Sequence, residues 1–455
     1  MRIKTHHGGN NVRLSLFRTA ICAVVLAVAG PALADDVSDL KAQVDELKAR
    51  VQKLEQPDWK FEMHGIASGS FLTQYNQTLF WGGGAMFVVG NNQSGVGTVT
   101  PNKTGANWTT GGDVRQNRFN FSLAGPKVFG GATPKAVLEI DFFNHDGPGR
   151  YGDVSLTPRM RLAYAELNWG GNTILRFGQD WELLAGILIP ETVGHMAYPL
   201  TFMAGTVTWR EPCIEVFQYI PLGKDQKIEL ALSMLQSSWN AEGYGLGETI
   251  PTALGINTWG SGMAAGGTNQ GQDSALPGFE ARVKYMSKMF TAFAAGHWNK
   301  VHLAGYSAAA TPAVPDIDVL DLNVGLQFSM AGFLLKAVGF TGQNQAPLVA
   351  TMLQFTAGPC IHEYGGWFQL GYENSGLGAY FTMGVDHPEY QDIVQAGSLG
   401  LERNVMTSGM VRYRDGGFAV ALEYAHWLTT GVVGGAIVNG NATGDQLMVT
   451  GAYFF

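Results

Sequence analysis

Apolar and polar residues alternate one by one along much of the chain after Trp59. From Leu320 to Met330 every even-numbered residue is apolar, and those between are polar or glycine. Successive side chains of a strand point to opposite faces, so the run predicts a strand with one apolar and one wet face. The same alternation marks Arg118 to Leu123, where Phe119, Phe121 and Leu123 share a face, and Ala136 to Phe142, Ile228 to Met234, Phe279 to Tyr285 and Phe418 to Tyr424. A soluble sandwich alternates too, and the connections discriminate better.

Gly170-Gly171-Asn172, Leu222-Gly223-Lys224-Asp225, Ala331-Gly332, Asn374-Ser375-Gly376 and Asp415-Gly416-Gly417 are tight-turn sequences. Between them stand long connections near 76–112, 144–157, 182–204, 237–277, 300–316, 341–363, 385–404 and 429–444. Short and long connections in alternation predict an all-β, antiparallel transmembrane barrel with turns on one rim and loops on the other. Eight long loops imply about sixteen strands, within two, from near Trp59 to Phe455. Such a barrel encloses an aqueous lumen rather than a packed core. The chain ends in Gln446 to Phe455, where every second residue counted back from Phe455 is apolar or glycine, and Gly451 is the position that fits least well. This strand must pair with the first, because lipid satisfies no backbone group.

The other end changes the picture. Arg2, Lys4, Arg13 and Arg18 precede an apolar stretch and Ala32-Leu33-Ala34, which reads as a secretory signal over 1–34. Residues 35–56 follow as a coiled coil and 57–455 as the barrel. Val37, Leu40, Val44, Leu47, Val51 and Leu54 repeat at spacings of three and four, and Pro57 ends the run. A parallel register sets Asp36 near Lys41 and Arg50 near Glu55, opposite charges that suit an oligomer, although a surface helix on its own barrel remains the alternative. Valine at a and leucine at d lean towards dimers.

The net charge is −8, and losing the four signal cations makes it −12. That acidity argues against nucleic acid as a partner. Sixty-one glycines and 15% charged residues suit turns and strands. Cys213 and Cys360 outlast the signal; they match no metal spacing, and a disulfide between them in an oxidising compartment stays open. Neither His362-Glu363 nor Asp386-His387 has the neighbours of a hydrolase or metal motif, so no enzyme, cofactor or metal is expected.

Three stretches carry a resemblance: Arg115-Gln116-Asn117-Arg118-Phe119-Asn120-Phe121, Ala136 to Phe143, and Arg161 to Glu166 with Phe177-Gly178-Gln179-Asp180-Trp181. With the coiled coil after the signal, they resemble the DcaP-like outer-membrane porins and, more distantly, the phosphate-selective porins. The resemblance implies a sixteen-stranded homotrimer in outer-membrane lipid, with coiled coil and barrel termini in the periplasm. It implies passive diffusion of small hydrophilic solutes, with anion preference, through a channel narrowed by an infolded loop. A structural or adhesive barrel without substantial conductance is the alternative.

Opposite the apolar faces, Arg118, Arg282, Lys284 and Arg412 should point into the lumen; Arg414 lies there or caps the rim. Arg159 and Arg161 are harder to place, because Ala163, Ala165 and Leu167 blur their face. Guanidinium groups bind carboxylate or phosphate in bidentate fashion, so a ladder of them favours anions. Inward acids such as Glu139, Asp141, Glu229 and Glu423 would instead leave a balanced wall. The third loop, 182–204, is the constriction candidate, with Glu182, Glu191 and His195 as its ionisable groups. Its apolar residues either narrow the pore or pack on the wall or a neighbouring subunit.

Overall fold

The structure, a computed structural model, describes residues 41–47, 59–75, 77–78, 88–89, 108–142, 158–184, 189–197, 199–236, 274–301, 317–345, 348, 360–395, 400–433 and 436–455. Residues 41–47 are helical, with Leu47 exposed. The signal and the heptad positions Val37, Leu40, Val51 and Leu54 lie outside the described residues.

Sixteen antiparallel strands close into a barrel. In order they are β1 (Lys60–Tyr75), β2 (Trp108–Asp113 and Arg118–Ala124), β3 (Thr133–Asp141), β4 (Arg159–Trp169), β5 (Thr173–Trp181), β6 (Arg210–Gly223), β7 (Gln226–Leu235) and β8 (Gly278–Met286). Then come β9 (Phe290–Val301), β10 (Ile317–Met330), β11 (Phe333–Gln343), β12 (His362–Asn374), β13 (Leu377–Pro388), β14 (Gly400–Asp415), β15 (Phe418–Val433) and β16 (Ala436–Phe454). A short helix, α1 (Tyr390–Gln395), joins β13 to β14. Both pieces of β2 pair with β1 and so share one place in the wall. Between them Arg115 folds back on Asp113 at 2.9 Å, and Asn117 accepts the Ser68 N–H.

Each strand pairs with its neighbour in sequence, and β1 pairs with β16 from Ile66↔Phe454 to Tyr75↔Asp445. The seam finishes with Gly65 and Phe455 exchanging both backbone hydrogen bonds at 3.0 and 3.1 Å. A side chain at Gly65 would meet the Phe455 ring at 2.5 Å, so only glycine lets the terminus close here. Gly451 faces outward opposite Gly69, with open space where its Cβ would be.

The alternation becomes an outer apolar face and an inner polar one. Leu232 is 64% exposed while the next residue, Ser233, is 5% exposed. Outward leucines, valines and phenylalanines recur on strand after strand, as a lipid-facing belt requires. At the turn rim lie the pairs Phe333 with Tyr372, Tyr285 with Phe290, and Tyr453 with Phe455. At the loop rim lie Phe279 with Trp298 and Tyr75 with Trp108. Aromatic rings in two bands suit the two membrane interfaces.

The predicted turns form as read: Ala331-Gly332 and Ser375-Gly376 take positive φ at both positions, the geometry that matches strand twist. One predicted loop does not. The sequence predicts an eighth long connection over 429–444, but β15 runs to Val433 and β16 starts at Ala436, leaving two residues between. Val432, Val433, Ile437 and Val438 are β-branched and favour extension around Gly434-Gly435. Cys213 and Cys360 are free thiols.

Candidate functional site

The loop from Glu182 to Trp209, between β5 and β6, folds into the lumen. Its two stems are clasped where Glu182 N donates to Trp209 O at 2.9 Å and Trp209 N donates to Glu182 Oε2 at 2.7 Å. Arg282 of β8 donates to Leu183 O at 3.0 Å. Further along, Lys336 of β11 donates to Ile189 O at 3.0 Å and to Glu191 Oε1 at 2.8 Å. Glu191 N donates to Gln369 of β12 at 2.7 Å, and Arg412 of β14 reaches Glu191 Oε2 at 3.2 Å. Thr192 donates to Glu423 of β15, and His195 Nε2 lies 3.7 Å from the same carboxylate.

The loop then turns back across the lumen. Ala197 N donates to Gln116 Oε1 at 2.7 Å, and Arg118 donates to Met196 O at 2.7 Å. Asn404 of β14 donates to Met203 O at 2.6 Å. Gly205, at φ +112°, lies so close to Gly366 of β12 that a Cβ would stand 2.2 Å from its carbonyl oxygen. Loop contacts therefore reach β2, β8, β11, β12, β14 and β15. The apolar loop residues pack inside the barrel: Leu184 and Val207 join Phe293, Phe340 and Trp367, while Leu200 and Ala204 join Met406 and Trp427. Of the options for this loop, packing on the inner wall and narrowing the lumen occur together.

The basic candidates other than Arg414 face inward and are paired with carboxylates. Arg159 donates two hydrogen bonds to Asp141, and Arg161 reaches Glu139 and Asp141 at 2.8 Å each. Arg118 stands 3.8 Å from Glu139. Arg282 and Lys284 hold Glu229 at 2.8 and 3.1 Å. Arg412 also meets Glu373 at 3.0 Å. Arg414 is exposed at the turn rim, donating to Gly416 O over the Phe454 ring. The ladder is thus closer to the balanced wall: each cluster carries its own carboxylates.

A β-bulge explains the blurred face of β4. Ile140 pairs with Met160 and Glu139 with Leu162, so Arg161 is the extra residue. Before it Arg159 points inward; after it Leu162, Tyr164 and Glu166 do, and Ala163 and Ala165 turn to lipid. One residue of slip exchanges the faces.

Sequence reading missed Gln116, Lys336 and Gln369, which hold the loop, and a buried group at its root. There His297 lies 2.8 Å from Glu280 and 2.9 Å from Asn299, near Glu182 and Glu211. Lys336 and Gln369 sit on inward faces mixed with Val338 and Trp367, so the alternation hides them. His362 meets Asp392 at 2.8 Å at the loop rim, and His387 stacks on Tyr364. Among the described residues no three histidine, cysteine or acidic side chains are placed to hold a metal.

Loop docking should respond to pH through Glu191 and Glu182. Burial raises Glu191, but Lys336 and Arg412 outweigh it and lower its pKa from 4.5. Its stabilising contribution is complete above that ordinary value and is lost as pH falls through the lowered one. Glu182 is the reverse: burial, then Glu280, push it well above 4.5, so its contribution weakens as pH rises. Glu191→Gln is expected to loosen the loop by about 1–2 kcal/mol, between an exposed and a buried pair because Glu191 is a third exposed. Current noise at neutral pH should rise, and the acid-side loosening should disappear; an unchanged pH profile would refute the clamp.

No family model matches the sequence, and no curated protein does. Among solved structures, the outer-membrane channel DcaP of Acinetobacter baumannii superposes with a TM-score of 0.59 at 14% identity, over 87% of this chain and 97% of that one. OmpF of Salmonella typhi, solved with daunomycin, superposes at 0.50 and 12% identity over 87% and 98%. The fold is that of an outer-membrane porin barrel.

Proposed function

We propose that the chain is an outer-membrane porin, a homotrimer whose lumen passes small hydrophilic solutes by passive diffusion and favours anions. The observation that carries this reading is the loop of 182–209 crossing the lumen beside three guanidinium groups, Arg118, Arg159 and Arg161, which among the described residues pair with Glu139 and Asp141. Selection in such a channel comes from pore width and lining charge, and no bond is made or broken. Three guanidinium groups clustered at the narrowed level give an entering anion bidentate donors, although each is already paired with a carboxylate.

Residues 1–34 act as the export signal, and 35–56 join subunits as a coiled coil in the periplasm. Both ends of the barrel lie at the turn rim, which supports a periplasmic placing of that rim. Reversal potentials of the reconstituted protein in a potassium chloride gradient test the preference. Chloride should dominate, and Arg118→Gln should shift the potential towards potassium. A wild-type channel selective for potassium would refute the role given to these arginines.

A further inference from the structure

Between the infolded loop and the wall lies a cavity of about 320 Å³. That is the size of a small-ligand pocket, at the lower end of the usual range. Among the described residues, Arg118, Arg161 and Glu139 are the ionisable ones lining it. Glu139 faces both guanidinium groups, and Asp141, behind the lining, also holds Arg161. The rest of the lining is largely apolar: Trp181, Trp209, Trp367, Phe202 and Phe293 supply aromatic rings, and Leu184 and Val338 add to them. An open water path needs no such surface.

Polar groups on this wall have capacity left. Arg118 gives one terminal N–H to Met196 O, while its buried Nε has no hydrogen-bond partner. Arg161 uses Nε on Glu139 and one terminal nitrogen on Asp141, leaving its second terminal nitrogen for another acceptor. Asn323, 1% exposed, donates to Asp321, and its own amide oxygen is unsatisfied. A buried polar atom without a partner costs about 1–3 kcal/mol, so a group that fills the vacancy gains by it. Arg161 already lies over the Trp181 ring, its centre 5.6 Å away, and Phe202 leans on Trp209 at 5.7 Å.

We propose that this cavity is a binding subsite for an aromatic monocarboxylate on its way through the channel. The carboxylate bridges the spare N–H groups of Arg118 and Arg161, the ring packs among Trp181, Trp209, Trp367 and Phe293, and a ring hydroxyl donates to Asn323 Oδ1. One carboxylate suits the two open guanidinium edges. Arg159 and Arg210 lie against Trp181 and Trp209 outside the lining. The second carboxylate of a para-dianion would therefore stand among Trp367, Phe293 and Val338 with no cation in the lining beside it, and burying an unpaired charge is costly.

The proposal rests on the porin reading, and its test separates the two. The full chain is reconstituted in planar bilayers, and ion current is recorded with benzoate, 4-hydroxybenzoate, terephthalate, acetate or benzylammonium added. Benzoate should block at concentrations about tenfold or more below those of acetate and terephthalate, 4-hydroxybenzoate should block better still, and benzylammonium should not block. Arg118→Gln should raise the benzoate requirement about tenfold. Tryptophan fluorescence of the detergent-solubilised wild-type protein gives a second readout, because benzoate should quench it saturably. Equal block by acetate and benzoate in a conducting channel, with no saturable quenching, overturns the subsite and leaves the porin. Saturable quenching without any current overturns the porin and leaves the site.

Discussion

Val324→Arg is expected to destabilise the barrel by about 2–4 kcal/mol, the cost of a guanidinium at mid-depth on the lipid face of a transmembrane strand. Val324 lies near the middle of β10 and is 50% exposed on the outer side. Its cross-strand partners are Ala294 and Gly339, neither of which offers a charge or hydrogen bond to an arginine. In water the same substitution would change little, since surface replacements usually stay within about 0.5 kcal/mol. Urea unfolding in lipid vesicles reads the difference, with Val324→Leu as an apolar control. Equal stability of the arginine and leucine variants would mean that this face does not meet lipid.

Excising residues 189–205 and bridging the gap with a short glycine-serine link should have the largest effect on transport. The segment carries the contacts to Lys336, Gln369, Arg412, Glu423, Gln116 and Asn404, so removing it clears the lumen from β2 round to β15. Single-channel conductance should rise roughly twofold or more, and ion preference should weaken as the passage widens. The wall should survive, because its strand ladder is continuous without the loop. It would lose the loop side of two inner clusters, Leu200 and Ala204 beside Trp427 and Val193 beside Tyr380 and Met410, so thermal stability should fall. A loop-less barrel with unchanged conductance would show that the loop does not control the passage.

Much of the barrel was legible in the sequence, for a reason visible in particular strands. In β10 nothing inside the lumen asks for apolar side chains below Asn323, and the alternation is clean. In β9, β11 and β12 the inward residues include Phe293, Val338, Phe340 and Trp367, because the infolded loop needs an apolar surface to pack on. None of those three strands is among the runs that alternation marks. The face of Arg159 and Arg161 was hidden by a single extra residue, which a period of two cannot register. The stretch 429–444 was misread because its glycines resemble a loop, whereas its β-branched residues extend two strands.

The site divides in the same way. Arg118, Arg282, Lys284 and Arg412 were placed inward by alternation, and they are inward. Their partners were only partly foreseen: Glu139, Asp141 and Glu229 stand on adjacent strands, but Glu191 comes from the loop and reaches β11 and β14 across the lumen. Pairing across more than a hundred residues has no signature in local pattern. The infolding itself followed from the family resemblance rather than from the loop's own residues. Its apolar composition fitted several placements equally.

Single-channel recording of the wild-type chain in planar bilayers tests the central claim most directly. Stable, ohmic conductance steps, arriving in groups of three if the subunits act as a trimer, are the predicted result. A protein that folds and inserts yet passes no current would contradict the account and leave a structural or adhesive barrel in its place.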